Sequence, residues 1–373
     1  MPPLTVKPMD AVVALYSEGN QELAEAIVES LSRVIFAGGH IPPAGLAQRI
    51  LARISYRALK WTTRRRKAGG EGREGGTYSN PILERSRHPY AQAMMNSSCD
   101  ETEALVEGGD PMNGPYMMIS PEILKNGGFW DRMFLHSVQG RDVQLRFIWE
   151  TRATYQEAKA RLDKGETVRM KAVAAGTGLS MVLAYDRLIK DGYDPARLTV
   201  RIADRDQANA EKTGRLLAKL RSTKERVTAA ETAGGISVGT EDLFADESAT
   251  DGTRGEKYHV VTAVGILEYF QGCTSGSTER SHRLAEIVDA TTGHHLAERL
   301  DKMTADTGVL IVNTYRPHAS IRIMELFGRR FDYRHIENLS ELLATANFRN
   351  PRLIGSGNIY DLKVYEKEPP KRD

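Results

Sequence analysis

From about residue 165 onward, short apolar runs rich in Val, Ile and Ala alternate with longer segments of helical periodicity. The runs fall at 168–175, 198–203, 236–238, 259–264, 309–313 and 359–365, and helical segments fill 180–190, 207–221, 281–303 and 339–346. A strand buried on both faces reads as a nearly continuous apolar run, and repeated strand–helix–strand units require right-handed crossovers. The expected fold class is α/β, with a doubly wound, mostly parallel sheet covered by helices on both faces.

Before residue 165 the texture differs, because apolar residues recur mainly at helical spacing. Ala11, Leu15, Leu23, Ile27, Leu31, Val34 and Ile35 form one stripe, and Leu46, Ile50, Ile54, Leu59 and Trp61 a second. Residues 143–162 predict an amphipathic helix with Leu145, Ile148, Trp149, Ala153 and Ala160 available for packing. Gly-rich and Pro-rich connections at 68–80 and 107–115 predict flexible loops. A chain of 373 residues gives a soft prior of two domains. The expected division is a helical cap or lid over 1–165, a sheet domain over 166–366 and a charged tail over 367–373.

A net charge of +2 argues against a dedicated nucleic-acid binder, whose affinity needs clustered positive charge. The run Arg64-Arg65-Arg66-Lys67 reads as a solvated helix end beside a loop. The two cysteines, Cys99 and Cys273, form no CxxC pair, so neither a disulfide framework nor a structural zinc is expected. No run of ~20 apolar residues predicts a membrane span. Met1-Pro2-Pro3-Leu4 does not open like a signal peptide, and a cytoplasmic location is the expectation.

The chemistry-bearing signals follow the strands. The run from Val168 leads into Ala174-Ala175-Gly176-Thr177-Gly178 and then a helix. Small residues at that turn let the backbone approach a nucleotide, and the helix N-terminus offers favourable N–H dipoles. A tight βα turn also uses glycine for purely structural reasons. The second run ends at Asp204, where a carboxylate can accept from both ribose hydroxyls; Asp204 or Asp206 can instead cap the next helix, Asp206 being better placed to do so. Glu241 and Asp242, ahead of Leu243, follow the third run and suit an adenine amino group. The fourth run opens at Gly265 into a polar and aromatic loop with Glu268 and Tyr269. Met181 stands where a GxGxxG motif needs its third glycine, which disfavours a nicotinamide-dependent oxidoreductase.

In this order, the motifs resemble those of class I S-adenosylmethionine (SAM)-dependent methyltransferases over about residues 165–366. The Ala-Gly-Thr-Gly turn resembles that family's first motif, Asp204 its ribose acid, and Glu241 with Asp242 its adenine-side acid. Val264-Gly265-Ile266-Leu267-Glu268-Tyr269 resembles the motif after the fourth strand, and 308–313 the fifth strand. The resemblance implies a Rossmann-like domain binding SAM through Ala174, Ala175, Gly176, Gly178, Asp204, Glu241, Asp242, Leu243 and Gly265. One departure matters: the family's first motif carries an acid and a glycine where this chain has Ala172 and Ala174. That acid commonly helps to position the methionine ammonium, so another group must serve here. Tyr116, Met117 and Met118 in the cap are candidates, although plain packing is the more ordinary explanation of them.

SAM chemistry needs a nucleophile held in line with one carbon of the sulfonium, with water excluded. Tyr116, Trp130, Tyr155 and Tyr269 could face the sulfonium, and Glu268 or His136 could act as base. Tyr116, Glu268 and Tyr269 are the expected catalytic residues, with no metal. The expected activity is methyl transfer to a small metabolite, with no nucleic-acid or membrane partner and a homodimer as one option. The alternatives are a 3-amino-3-carboxypropyl transferase or intramolecular cyclase releasing methylthioadenosine, and a non-catalytic nucleotide-binding protein.

Overall fold

Seven strands hydrogen-bond into one sheet: β1 (Val168–Val173), β2 (Leu198–Asp204), β3 (Ile236–Thr240), β4 (Tyr258–Ala263), β5 (Thr304–Tyr315), β6 (Phe348–Ser356) and β7 (Tyr360–Lys367). Their spatial order is β3-β2-β1-β4-β5-β7-β6. The first five strands run parallel, while β7 is antiparallel to both β5 and β6. This is the doubly wound, mostly parallel sheet that the sequence predicts. The computed structural model describes residues 4–38, 41–67, 119–129, 132, 136–204, 207–221, 235–241, 243, 256–266, 290–320, 322 and 336–369. Tyr116, Met117, Met118, Trp130, Asp242, Glu268, Tyr269 and the loops at 68–80 and 107–115 lie outside the described residues.

Side chains alternate across the strands, so each strand feeds two apolar layers. On one face Met170, Ala172, Val200, Ile202, Val260 and Ile311 pack with α4 (Val138–Leu162), α5 (Leu179–Lys190) and α6 (Gln207–Arg221). On the other, Val173, Val261, Ala263, Leu310 and Val312 pack with α7 (Ala290–Met303) and α8 (Ile336–Thr345).

Two earlier helices, α1 (Pro8–Tyr16) and α2 (Gln21–Phe36), lie outside the first helical layer and touch α6. Their apolar stripe enters the same buried cluster as the sheet: Leu15, Ile27 and Leu31 share it with Leu145, Val168 and Val200. Among the described residues the apolar core therefore continues across residue 165, and α4 lies directly against β4, β5 and β7. Buried Lys219 on α6 donates to the carbonyls of Ala14 and Leu15, so a cation meets the carbonyl end of α1, where the helix dipole favours it. A further helix, α3 (Leu46–Lys67), buries Ala52 against Val138, Val143 and Tyr360.

Strand β6 is an element the apolar pattern does not announce. It is an edge strand, mostly exposed, with Pro351 inside it and register shifts between Arg349 and Arg352 and between Leu353 and Gly355. Proline cannot donate to a ladder and is tolerated at an irregular edge of this kind. Among the described residues no helix is long and apolar enough to cross a membrane.

Candidate active site

The strand order reverses direction between β1 and β4, and in open α/β sheets the crevice at such a switch point is where ligands bind. One wall of the crevice is the turn after β1. Ala174, Gly176 and Gly178 adopt φ of +48°, +55° and +58°, so the chain passes three times through the left-handed region within five residues. Gly178 precedes α5, and a Cβ there would collide with the Ile202 side chain; glycine lets α5 approach β2 this closely. Ala174 holds the same region with a side chain, at an expense on the order of 1 kcal/mol that surrounding contacts must offset.

Those contacts come from three directions. The Gly176 N–H donates to the Asp204 carboxylate at 2.7 Å. Thr213 of α6 donates to the Thr177 carbonyl at 2.8 Å, and the Tyr16 hydroxyl of α1 lies 3.0 Å from Thr177 Oγ1. Asp204 is itself buried, with Asn209 Nδ2 3.5 Å from Oδ1, and its carbonyl accepts from the Glu241 N–H at 2.9 Å. The turn and the carboxylate that the sequence proposes as one binding unit are thus in direct contact.

The remaining predicted cofactor residues divide. Gly265, at φ +85°, stands after β4 across the crevice, its N–H donating to Asn313 Oδ1 at 2.7 Å. Glu241 follows β3 but its carboxylate turns to Lys171 Nζ at 2.7 Å, the two side chains being 13% and 5% exposed. Lys171 also lies 5.3 Å from the Tyr258 ring centre. Glu241 therefore neutralises a lysine buried in β1. Leu243 packs in the α7–α8 layer, and its carbonyl accepts from Arg299.

Of the other candidates, Tyr155 is placed away from the crevice. Its hydroxyl donates to Asp191 at 2.6 Å and its ring meets Phe36 edge-on, at the far end of α5 from the turn. A sulfonium at the crevice cannot reach it. His136 pairs with the Arg141 guanidinium, and burial, then Arg141 and Arg132, hold its pKa below the ordinary value.

A polar line on α4 lies outside the predicted site residues. Asp142, Arg146 and Glu150 recur every four residues, all buried, so they lie on one helix face. That spacing was the available signal. Asp142 accepts from the Ile359 N–H at 2.5 Å and from Asn358 at 3.3 Å, fixing the β6–β7 turn; burial raises its pKa. Arg146 sits 4.6 Å from the Tyr360 ring centre, and a Cβ added to Gly265 would stand 3.3 Å from its guanidinium. Glu150 accepts from Ser180 Oγ, in the first turn of α5, at 2.8 Å. Burial pushes the Glu150 pKa up to about 7, against the opposing pulls of Ser180 and Arg146. Arg146 and Glu150 therefore sit between the β4 side and the α5 side of the crevice. Among the described residues no group of three or more His, Cys, Asp or Glu side chains could hold a metal ion.

No family model and no curated protein matches the chain. Among solved structures, the magnesium protoporphyrin IX methyltransferase of Synechocystis PCC 6803 with bound SAH aligns at 11% identity and TM-score 0.38, covering 61% of this chain and 87% of that one. The CurJ carbon methyltransferase aligns at 12% identity and TM-score 0.44 over 97% of this chain and all of that one, 100%. The pyocyanin biosynthetic protein PhzM aligns at 14% identity and TM-score 0.40, covering 79% of this chain and 74% of that one. At such distances the site's own geometry must carry the functional reading.

Proposed function

We propose that the chain is a SAM-dependent methyltransferase acting on a small molecule. One observation carries the reading: a buried carboxylate at the end of β2 and a glycine turn at the end of β1 meet at the switch point, with Gly176 N–H 2.7 Å from Asp204. The residues present fit an adenosyl group. Asp204 has the acceptor chemistry for vicinal ribose hydroxyls, and the backbone at Gly176 and Gly178 carries no side chain to obstruct a nucleotide. Bound there, SAM would supply an electrophilic methyl group. The chain's own contribution would be to orient the nucleoside, keep the turn rigid through Tyr16 and Thr213, and exclude water. Tyr116, Glu268 and Tyr269 remain the proposed catalytic residues, and residues 1–165, whose helix α4 packs on the sheet itself, the proposed cap.

Incubation with SAM, alone and with a small-molecule extract, followed by mass identification of the adenosine by-product, tests this reading. S-adenosylhomocysteine (SAH) that forms only with extract is the expected result. Methylthioadenosine would instead assign attack on the aminobutyrate carbon, as in the aminocarboxypropyl transferases and cyclases. Intact SAM in every sample would contradict both.

A further inference from the structure

Around the crevice the described residues provide two carboxylates with different surroundings. Asp204, on the β2 side, is tied to the turn by the Gly176 N–H. Glu150, on α4, is 9% exposed and hydrogen-bonds to a neutral hydroxyl, that of Ser180 at 2.8 Å. Arg146, one turn earlier on the same face, pulls toward the ionised form without offsetting burial, so the buried carboxylate is an expense to the free fold and further counter-charge is expected to arrive with a ligand. The crevice end of β1 carries no acid: Ala172, Val173 and Ala174 follow Lys171, and Lys171 is already paired with Glu241. A nucleoside whose ribose lies on Asp204 would extend its remaining chain toward β4 and the first turn of α5, where Glu150 stands. An α-ammonium brought into a dry crevice needs an anionic acceptor, because burying it unpaired is prohibitive.

We propose that Glu150 receives the α-ammonium of the bound cofactor's aminoacyl end, in place of the acid absent from β1. The assignment rests on the SAM reading above and deepens it. Ser180 fixes the rotamer of the carboxylate, and Arg146, one turn earlier on the same face, favours its ionised form. The ammonium then makes a charge-assisted hydrogen bond with an acceptor that is oriented before the ligand arrives. Glu150 is a positioning residue and takes no proton from the acceptor substrate.

Calorimetry with two ligands isolates this contact. SAH carries the aminoacyl group, whereas 5′-methylthioadenosine shares the thioadenosine and lacks it. Glu150→Gln is expected to weaken SAH by at least about tenfold and to leave methylthioadenosine within about twofold, since only the first ligand loses a charged partner. Unchanged SAH affinity, or an equal loss on both ligands, overturns the assignment and leaves the adenosine site standing. Wild-type protein that binds neither ligand overturns the SAM reading and this assignment with it.

Discussion

Asp204→Ala is expected to weaken SAH binding by about 100-fold or more, because two hydrogen bonds from ribose to a carboxylate, each worth about 1.5–3 kcal/mol, are lost. The same carboxylate accepts the Gly176 N–H, so the substitution also releases the turn that must meet the nucleotide. A lost hydrogen bond at a buried site costs about 1–3 kcal/mol, and urea unfolding should register it as a lower midpoint with an unchanged slope. Asp204→Asn keeps one acceptor oxygen for Gly176 and should fall between alanine and wild type in both measurements. Full SAH affinity in the alanine variant would move the ribose elsewhere.

Glu150→Gln is expected to behave in the opposite sense when no ligand is present: the variant should be the more stable protein at pH 8. The folded-state pKa of about 7 lies above the ordinary 4.5, so the fold favours the protonated carboxyl. Its contribution is fully present below the unfolded value and is lost as pH rises through the folded one. The displacement corresponds to about 3 kcal/mol at pH 8, falling toward zero near pH 4.5. Glutamine mimics the neutral form and still accepts from Ser180. Urea unfolding of the ligand-free proteins at pH 8 and pH 5 should show the variant ahead by up to about 3 kcal/mol at the higher pH and by little at the lower. Taking variant minus wild type at each pH removes the contribution of every other titrating group. A wild type that is equally or more stable at pH 8 would show that the carboxylate is compensated within the free protein. A residue that weakens the empty fold while tightening a ligand is what a functional site built into a core requires.

These outcomes depend on residues of unequal legibility. Strand β1, its turn and Asp204 were readable because β1 and β2 keep apolar residues at most positions despite Arg169, Lys171 and Arg201, and small or acidic residues follow them. The covering helices α5 and α6 were readable for the complementary reason, their apolar stripe recurring at helical spacing. Strand β6 was not, since an exposed edge strand with Pro351 and irregular register has no apolar run to show. Glu241 illustrates a different limit. An acid after a strand is compatible with a ligand, but its partner Lys171 lies 70 residues away and only the sheet brings them together. Glu150 and Arg146 were hidden by the ordinary rule that charged residues on an amphipathic helix face water. Helix α4 is covered on nearly every side, so Gln139, Asp142, Gln144, Arg146 and Glu150 are all buried, and the four-residue spacing of Asp142, Arg146 and Glu150 is the local trace of it.

A crystal structure of the SAH complex is the most direct test of the account. The expected result has both ribose hydroxyls on the Asp204 carboxylate and the thioether lying in the crevice between the 174–178 turn and Gly265. Adenosine bound at the opposite edge of the sheet, or at the crevice with its ribose turned away from Asp204, would contradict it.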